Sequence, residues 1–105
     1  MRLTIALAAL LAPLLPPLAF AQGVAFSGGD GSSFATAIII EGAKNELDGV
    51  GAERTYVASR HKDWREENSA LITKGDRSYD INDYRAADGS KHTLTFDVTG
   101  FLGKL

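Results

Sequence analysis

The densest group of residues able to do chemistry is Gly28-Gly29-Asp30-Gly31-Ser32-Ser33. A Gly-rich turn can present backbone N–H groups to an anion, and the Ser32 and Ser33 hydroxyls could add to such a cradle. A phosphate loop, however, needs Gly-Lys-Ser/Thr leading into a helix. No lysine stands here, Asp30 would repel a phosphate, and the residues that follow read as a strand. The plainer reading is a structural turn, because Gly, Asp and Ser each favour turns for their own physical reasons. Gly29, Asp30, Gly31, Ser32 and Ser33 are therefore candidate ligand contacts with a bland alternative beside them.

His61 and His92 are the only histidines, and there is no cysteine. Zinc catalysis usually takes three protein ligands, and His-Glu-x-x-His is absent. The two histidines and a carboxylate could still meet in space. A half-buried strand histidine and a histidine at a helix C-terminus, favoured there by the dipole, explain them without a metal. Asp76, Asp80, Asn82, Asp83 and Asp88 raise Ca²⁺, but no frame matches the EF-hand loop. Seven serines follow the leader described below, none of them in a Gly-x-Ser-x-Gly elbow. No catalytic residue, metal or cofactor is assigned. Asp97, with Thr95 and Thr99, reads as a polar patch on a solvated strand face.

Trp64 and Tyr84 are candidate interface anchors, since Trp and Tyr are enriched at binding hot spots. That reading needs Tyr84 to point outward and Trp64 to sit in an exposed connector. The plainer alternative has Trp64 closing a helix onto the core, in phase with Val50 and Val57.

These residues must be positioned by a small set of elements, organised around residues 69–98. His92 to Val98 is the clearest strand, with Leu94, Phe96 and Val98 on one face and Thr93, Thr95 and Asp97 on the other. Asp88-Gly89 before it predicts a tight hairpin. Residues 77–84 form the preceding strand, with Tyr79 and Ile81 inward. The alternation then slips, which predicts a bulge near Asn82-Asp83. Lys74-Gly75-Asp76 is a second turn, after a strand at residues 70–73. Ile38-Ile39-Ile40 predicts a central strand, apolar on both faces. Residues 48–61 read as one amphipathic helix of about three turns with Asp48 as N-cap, weakened by Gly49 and Gly51. Residues 62–68 read as a charged connector, and residues 22–34 as a loop anchored by Phe26 and Phe34. The expected fold is α+β: a two-layer sandwich, one helix on a four-stranded, mostly antiparallel sheet in the order β-α-β-β-β. The pairing of the Ile38 strand is open, with the last strand the first choice.

Ahead of all this, Met1-Arg2, an apolar run over residues 3–18 and Ala19-Phe20-Ala21 match a signal peptide, cleaved before Gln22. The run is shorter than the ~20 residues of a membrane span and holds Pro13, Pro16 and Pro17, so stable membrane insertion after cleavage is not expected. Residues 1–21 are thus the leader, and residues 22–105 one small domain. The chain carries 11 Lys+Arg against 13 Asp+Glu, a net charge of −2, and loses one more positive charge with Arg2. A mildly acidic, dispersed charge argues against nucleic acid as a partner. The domain must build its core without disulfides, which removes thiol chemistry and cysteine metal sites as well.

Gly-Asp-Gly-Ser-Ser at 29–33, the apolar strand at 37–40, Tyr79-Asp80-Ile81, Asp88-Gly89 and residues 96–101 together make the chain resemble an uncharacterised family of small exported bacterial proteins. That resemblance implies no activity and no catalytic residue. The expected role is a non-enzymatic protein-binding module in the periplasm, or secreted beyond it, with a partner from the envelope or the medium. A free edge strand could serve it. Two readings stand beside it. One is a small hydrolase or ligand-binding domain, with a site joining the loop at 28–33 to His92 or Asp97. The other is a structural envelope component that self-assembles.

Overall fold

A computed structural model describes residues 23–105; the leader expected over residues 1–21, and its expected cleavage before Gln22, lie outside them. The fold is α+β, with one helix and a mixed sheet of five strands. The elements are β1 (Ala25–Gly28), β2 (Ile38–Glu41), α1 (Glu46–Arg60), β3 (Arg65–Lys74), β4 (Arg77–Arg85) and β5 (Lys91–Asp97). Their order across the sheet is β1-β2-β5-β4-β3. All neighbours are antiparallel except β2 and β5, which run parallel with Ile38 opposite Phe96. Pairing of the Ile38 strand with the last strand is as expected.

The fifth strand is a correction. Residues 25–28, read as part of a loop, pair with β2 from Ala25↔Glu41 to Gly28↔Ile38. Ala-Phe-Ser-Gly is too short and too Gly/Ser-rich to announce a strand, and only the neighbouring isoleucines make it one. β3 is longer than expected as well. It takes in Arg65, Glu66, Glu67, Asn68 and Ser69, because an edge strand needs no buried face and tolerates charge.

The helix starts earlier than Asp48. Asn45 is the N-cap, and its Oδ1 accepts from the Asp48 amide at 2.9 Å, closing one of the orphan N–H groups. Glu46 and Asp48 then sit in the positive first turn. Gly49 is required rather than tolerated: a Cβ there would lie inside the Phe101 ring. Phe101, from the tail, is 2 % exposed and joins Val24, Ile38, Ile40, Ala52, Val57, Leu94, Phe96 and Val98 in one core.

The phase of β4 is the main correction. Asp80 lies opposite Phe96, Asn82 opposite Leu94 and Tyr84 opposite His92, so this polar series faces the helix. Tyr79, Ile81 and Asp83 take the other face. β4 runs without the expected bulge; the irregularity is in β3, between Glu66 and Asn68. Inward polar residues are possible because they are hydrogen-bonded to one another. Asn82 Nδ2 donates to Glu53 Oε1 of α1 at 2.8 Å and to the Tyr84 hydroxyl at 3.2 Å, while Ser69 donates to Asn82 Oδ1 at 2.6 Å. This polar seam is where the helix-covered part of the sheet ends.

Candidate functional site

The loop singled out by its composition connects β1 to β2 and is held by its own groups. Asp30 Oδ1 accepts from the Ser32 amide at 3.0 Å and the Ser32 hydroxyl at 2.7 Å. Thr36 Oγ1 lies 3.1 Å from Ser32 Oγ and 2.9 Å from Ser33 Oγ, and takes the Ser33 amide at 3.1 Å. The Gly31 amide donates to Thr36, and the Gly31 carbonyl accepts from Thr95 of β5. Both hydroxyls and the amides of Gly29, Gly31, Ser32 and Ser33 are thus engaged within the fold. The Ser32 hydroxyl and amide hold the Asp30 carboxyl below its ordinary value.

The same turn occurs a second time. Asp88 Oδ1 accepts from the Ser90 amide at 2.9 Å and the Ser90 hydroxyl at 2.6 Å. Asp30-Gly31-Ser32 and Asp88-Gly89-Ser90 are the same triplet, with glycine φ of 84° and 90°, a left-handed backbone that glycine adopts without strain. At 86–90 the turn joins β4 to β5, with Gly89 donating to Ala86 and Ala86 to Ser90. The loop is longer than a two-residue hairpin because the positive-φ glycine follows the turn, as in three-residue connections. A triplet that closes two hairpins is a folding device, and its repetition was the legible sign of that.

Ser90 also settles how the nearby histidine is used. Its hydroxyl donates to Asp88, so Ser90 Oγ accepts from His92 Nε2–H at 2.9 Å. A nucleophilic serine needs the opposite polarity, with its proton directed at a neutral imidazole nitrogen and the carboxylate behind the ring. Asp88, Ser90 and His92 are in the wrong order for that chemistry.

His61 and His92 do come together, but through an indole. Trp64 is stacked between them, 3.7 Å from His61 at 7° and 4.3 Å from His92 at 14°. Burial, then the nearby His92 and Arg60, lower the His61 pKa. Among the described residues, no group of three His, Cys, Asp or Glu is placed to hold a metal. Tyr84, expected to point outward, is 3 % exposed and lies under the helix end, 5.5 Å from Trp64. Its pKa is pushed up to about 12, chiefly by burial. Both faces of Trp64 are covered and Tyr84 is buried, so neither presents a free ring face to a partner. They line a shallow groove of about 310 Å³ with Arg54, Val57, His61 and Glu66. A smaller cavity of about 150 Å³ beside Gly28 and Gly29 includes neither His92 nor Asp97. Asp97 is engaged elsewhere, with Arg77 Nη2 at 2.8 Å and the Thr99 hydroxyl at 2.7 Å. Burial pushes its carboxyl up, but Thr99 and Arg77 outweigh that and leave it below its ordinary value.

Comparison with family models, with curated proteins and with solved structures gives no match. The site must be judged on its own geometry.

Two features escaped the sequence reading. Glu53 is 5 % exposed, and its Oε2 has no hydrogen-bond partner among the described residues. Burial, then the nearby Asp80 carboxylate, raises its pKa to about 9. Burial and the like charge of Asp80 both favour the neutral form of the Glu53 carboxyl. It belongs to the seam with Asn82, and neither of the two cavities above includes it in its lining. The second feature is β3. All ten of its residues are exposed, and Leu71 and Ile72 are 53 % and 38 % exposed. Among the described residues, none of β3 contributes to the apolar core, and the strand has no sheet neighbour beyond β4. Among the described residues, no helix is long and apolar enough to cross a membrane.

Proposed function

We propose that this chain is a small exported, non-enzymatic protein-binding module whose binding element is the free edge of β3. The observation that carries the reading is the exposure of all ten residues of that strand. Edge strands left open present a row of unpaired N–H and C=O groups, and proteins that do not use them blunt them with charge, proline or a cover. Residues 68–73 hold neither charge nor proline. Strand addition to such an edge draws affinity from main-chain hydrogen bonds and specificity from alternate side chains. Export to the periplasm, or secretion, rests on the leader pattern in residues 1–21, and kinship with small exported bacterial proteins rests on the motifs quoted above. The ligand or hydrolase reading has less behind it, since the loop at 28–33 spends its polar groups on itself.

The test is to recover tagged protein, expressed from the full sequence, in envelope extract and to size it without cross-linking. The wild type is expected in a complex heavier than the monomer, and Leu71→Arg as monomer. A wild type that runs as monomer there refutes the reading.

A further inference from the structure

We propose that the open edge of β3 is filled by a second copy of this chain, antiparallel to the first, so that two sheets join into one continuous sheet with both helices on the same face. This rests on the reading of β3 as the binding element and names its partner.

The direction of the free backbone groups follows from the register. Lys74 and Arg77 face each other across the two residues Gly75 and Asp76. The pair flanking so short a turn is hydrogen-bonded, and pairs alternate from there. Independently, the Val98 amide donates to the Ser78 carbonyl at 2.9 Å. Ser78 therefore turns its backbone toward β5, and Thr73, its opposite, turns its own away from β4. The same alternation sends the backbones of Leu71 and Ser69 outward. Side chains agree: Thr73 and Ser69 touch Ser78 and Asn82 directly across the ladder, at 3.1 and 2.6 Å, as the closely spaced non-hydrogen-bonded positions do.

Ser69, Leu71 and Thr73 thus offer N–H and C=O to solvent in an unbroken alternate row. A two-fold register that uses all three has one solution, with Leu71 opposite its own counterpart and Ser69 opposite Thr73. The same register places Ile72 opposite Ala70 on the other face. Both large apolar groups exposed on the strand then gain apolar neighbours, on both faces, from a single alignment. It also brings Lys74 of each copy beside Asn68 and Glu67 of the other. An interface of this kind is self-complementary, as two-fold symmetry demands. The other edge does not compete: β1 has four residues, the short form of edge that resists pairing.

The experiment is sedimentation equilibrium on the purified product of the full sequence at about 100 μM, where a micromolar association is well populated. Twice the chain mass is expected, and Leu71→Arg, which sets two cations face to face on the axis, should give a monomer with unchanged circular dichroism. Since the chain has no cysteine, single-cysteine variants read the register. Oxidised Leu71→Cys should cross-link to a covalent pair, and Ile72→Cys, facing Ala70, should not. A monomeric wild type overturns the proposal, and so does a dimer that survives Leu71→Arg or an open-ended assembly. If the pure protein is monomeric while its complex in extract is still lost with Leu71→Arg, the second copy is wrong and the edge reading stands.

Discussion

The two halves of this sheet obey different rules. On one side, β1, β2 and β5 lie under α1, and their inward residues are Ile38, Ile40, Leu94 and Phe96, all nearly or wholly buried. On the other, β4 turns the buried Asn82 and Tyr84 toward the helix, but β3 outside it is exposed along its whole length. The first half is held by apolar burial, the second by a ladder of main-chain bonds and cross-strand pairs such as Arg85–Glu67 at 3.0 Å. An exposed ion pair of that kind adds about 0–1 kcal/mol. A ten-residue strand with so little burial adds little stability, which is why the length of β3 points to contact with something else.

The contrast is sharpest for apolar truncation. Phe96→Ala, at a fully buried position, is expected to cost about 3–5 kcal/mol, a large part of the total for a small domain. Leu71→Ala, on the open strand, should cost less than about 0.5 kcal/mol in the monomer. Urea unfolding at low concentration compares them, and equal losses would erase the distinction between the halves.

The seam between the halves should respond to pH. Glu53 has its pKa raised to about 9 by burial and by Asp80, above its unfolded value. Its contribution is fully present below the unfolded pKa and is lost as pH rises toward the folded one. Stability should therefore fall between about pH 5 and pH 9, by at most about 1.4 kcal/mol per pH unit for one proton. Glu53→Gln, which keeps the shape of the protonated group, should flatten that slope and be the more stable form near pH 8. An unchanged slope would mean that another group carries it.

Smaller effects come next. Gly49→Ala should gain helix propensity of about 1 kcal/mol but lose more through overpacking against Phe101, for a net loss of about 1 kcal/mol; thermal unfolding that moves upward would show that the tail gives way freely. Asp30→Ala and Asp88→Ala should each cost about 1 kcal/mol or less through the lost turn bonds, and by similar amounts. A much larger effect on a ligand-dependent property at Asp30 would separate the two turns and revive a binding role for the first.

Legibility in the sequence divides along the same line. β5 was plain because Leu94, Phe96 and Val98 alternate with polar residues and face a real core. β4 was misphased because its inward face carries Asp80 and Asn82 while its outward face carries Tyr79 and Ile81. Polarity there reports a hydrogen-bonded seam and not solvent. The charged first half of β3 read as a connector, since nothing buried disciplines it. The sequence points to Asp48 as the cap because aspartate suits the position, but Asn45 suits it equally, and the Asp48 amide bonded to Asn45 Oδ1 decides for Asn45. The indole between two histidines had no sequence signal, as His61, Trp64 and His92 come from the end of the helix, the connector and the last strand.

The parallel pairing of β2 with β5 carries a consequence for when the protein can exist as a folded body. Among the described strands β5 comes last in the chain, yet it stands at the centre of the sheet, between β2 and β4. A chain made from the N-terminus first has only β1 as a neighbour for β2 until that strand is delivered. Contacts so distant along the chain form late. The five-stranded sheet therefore closes only once β5 takes its place between β2 and β4.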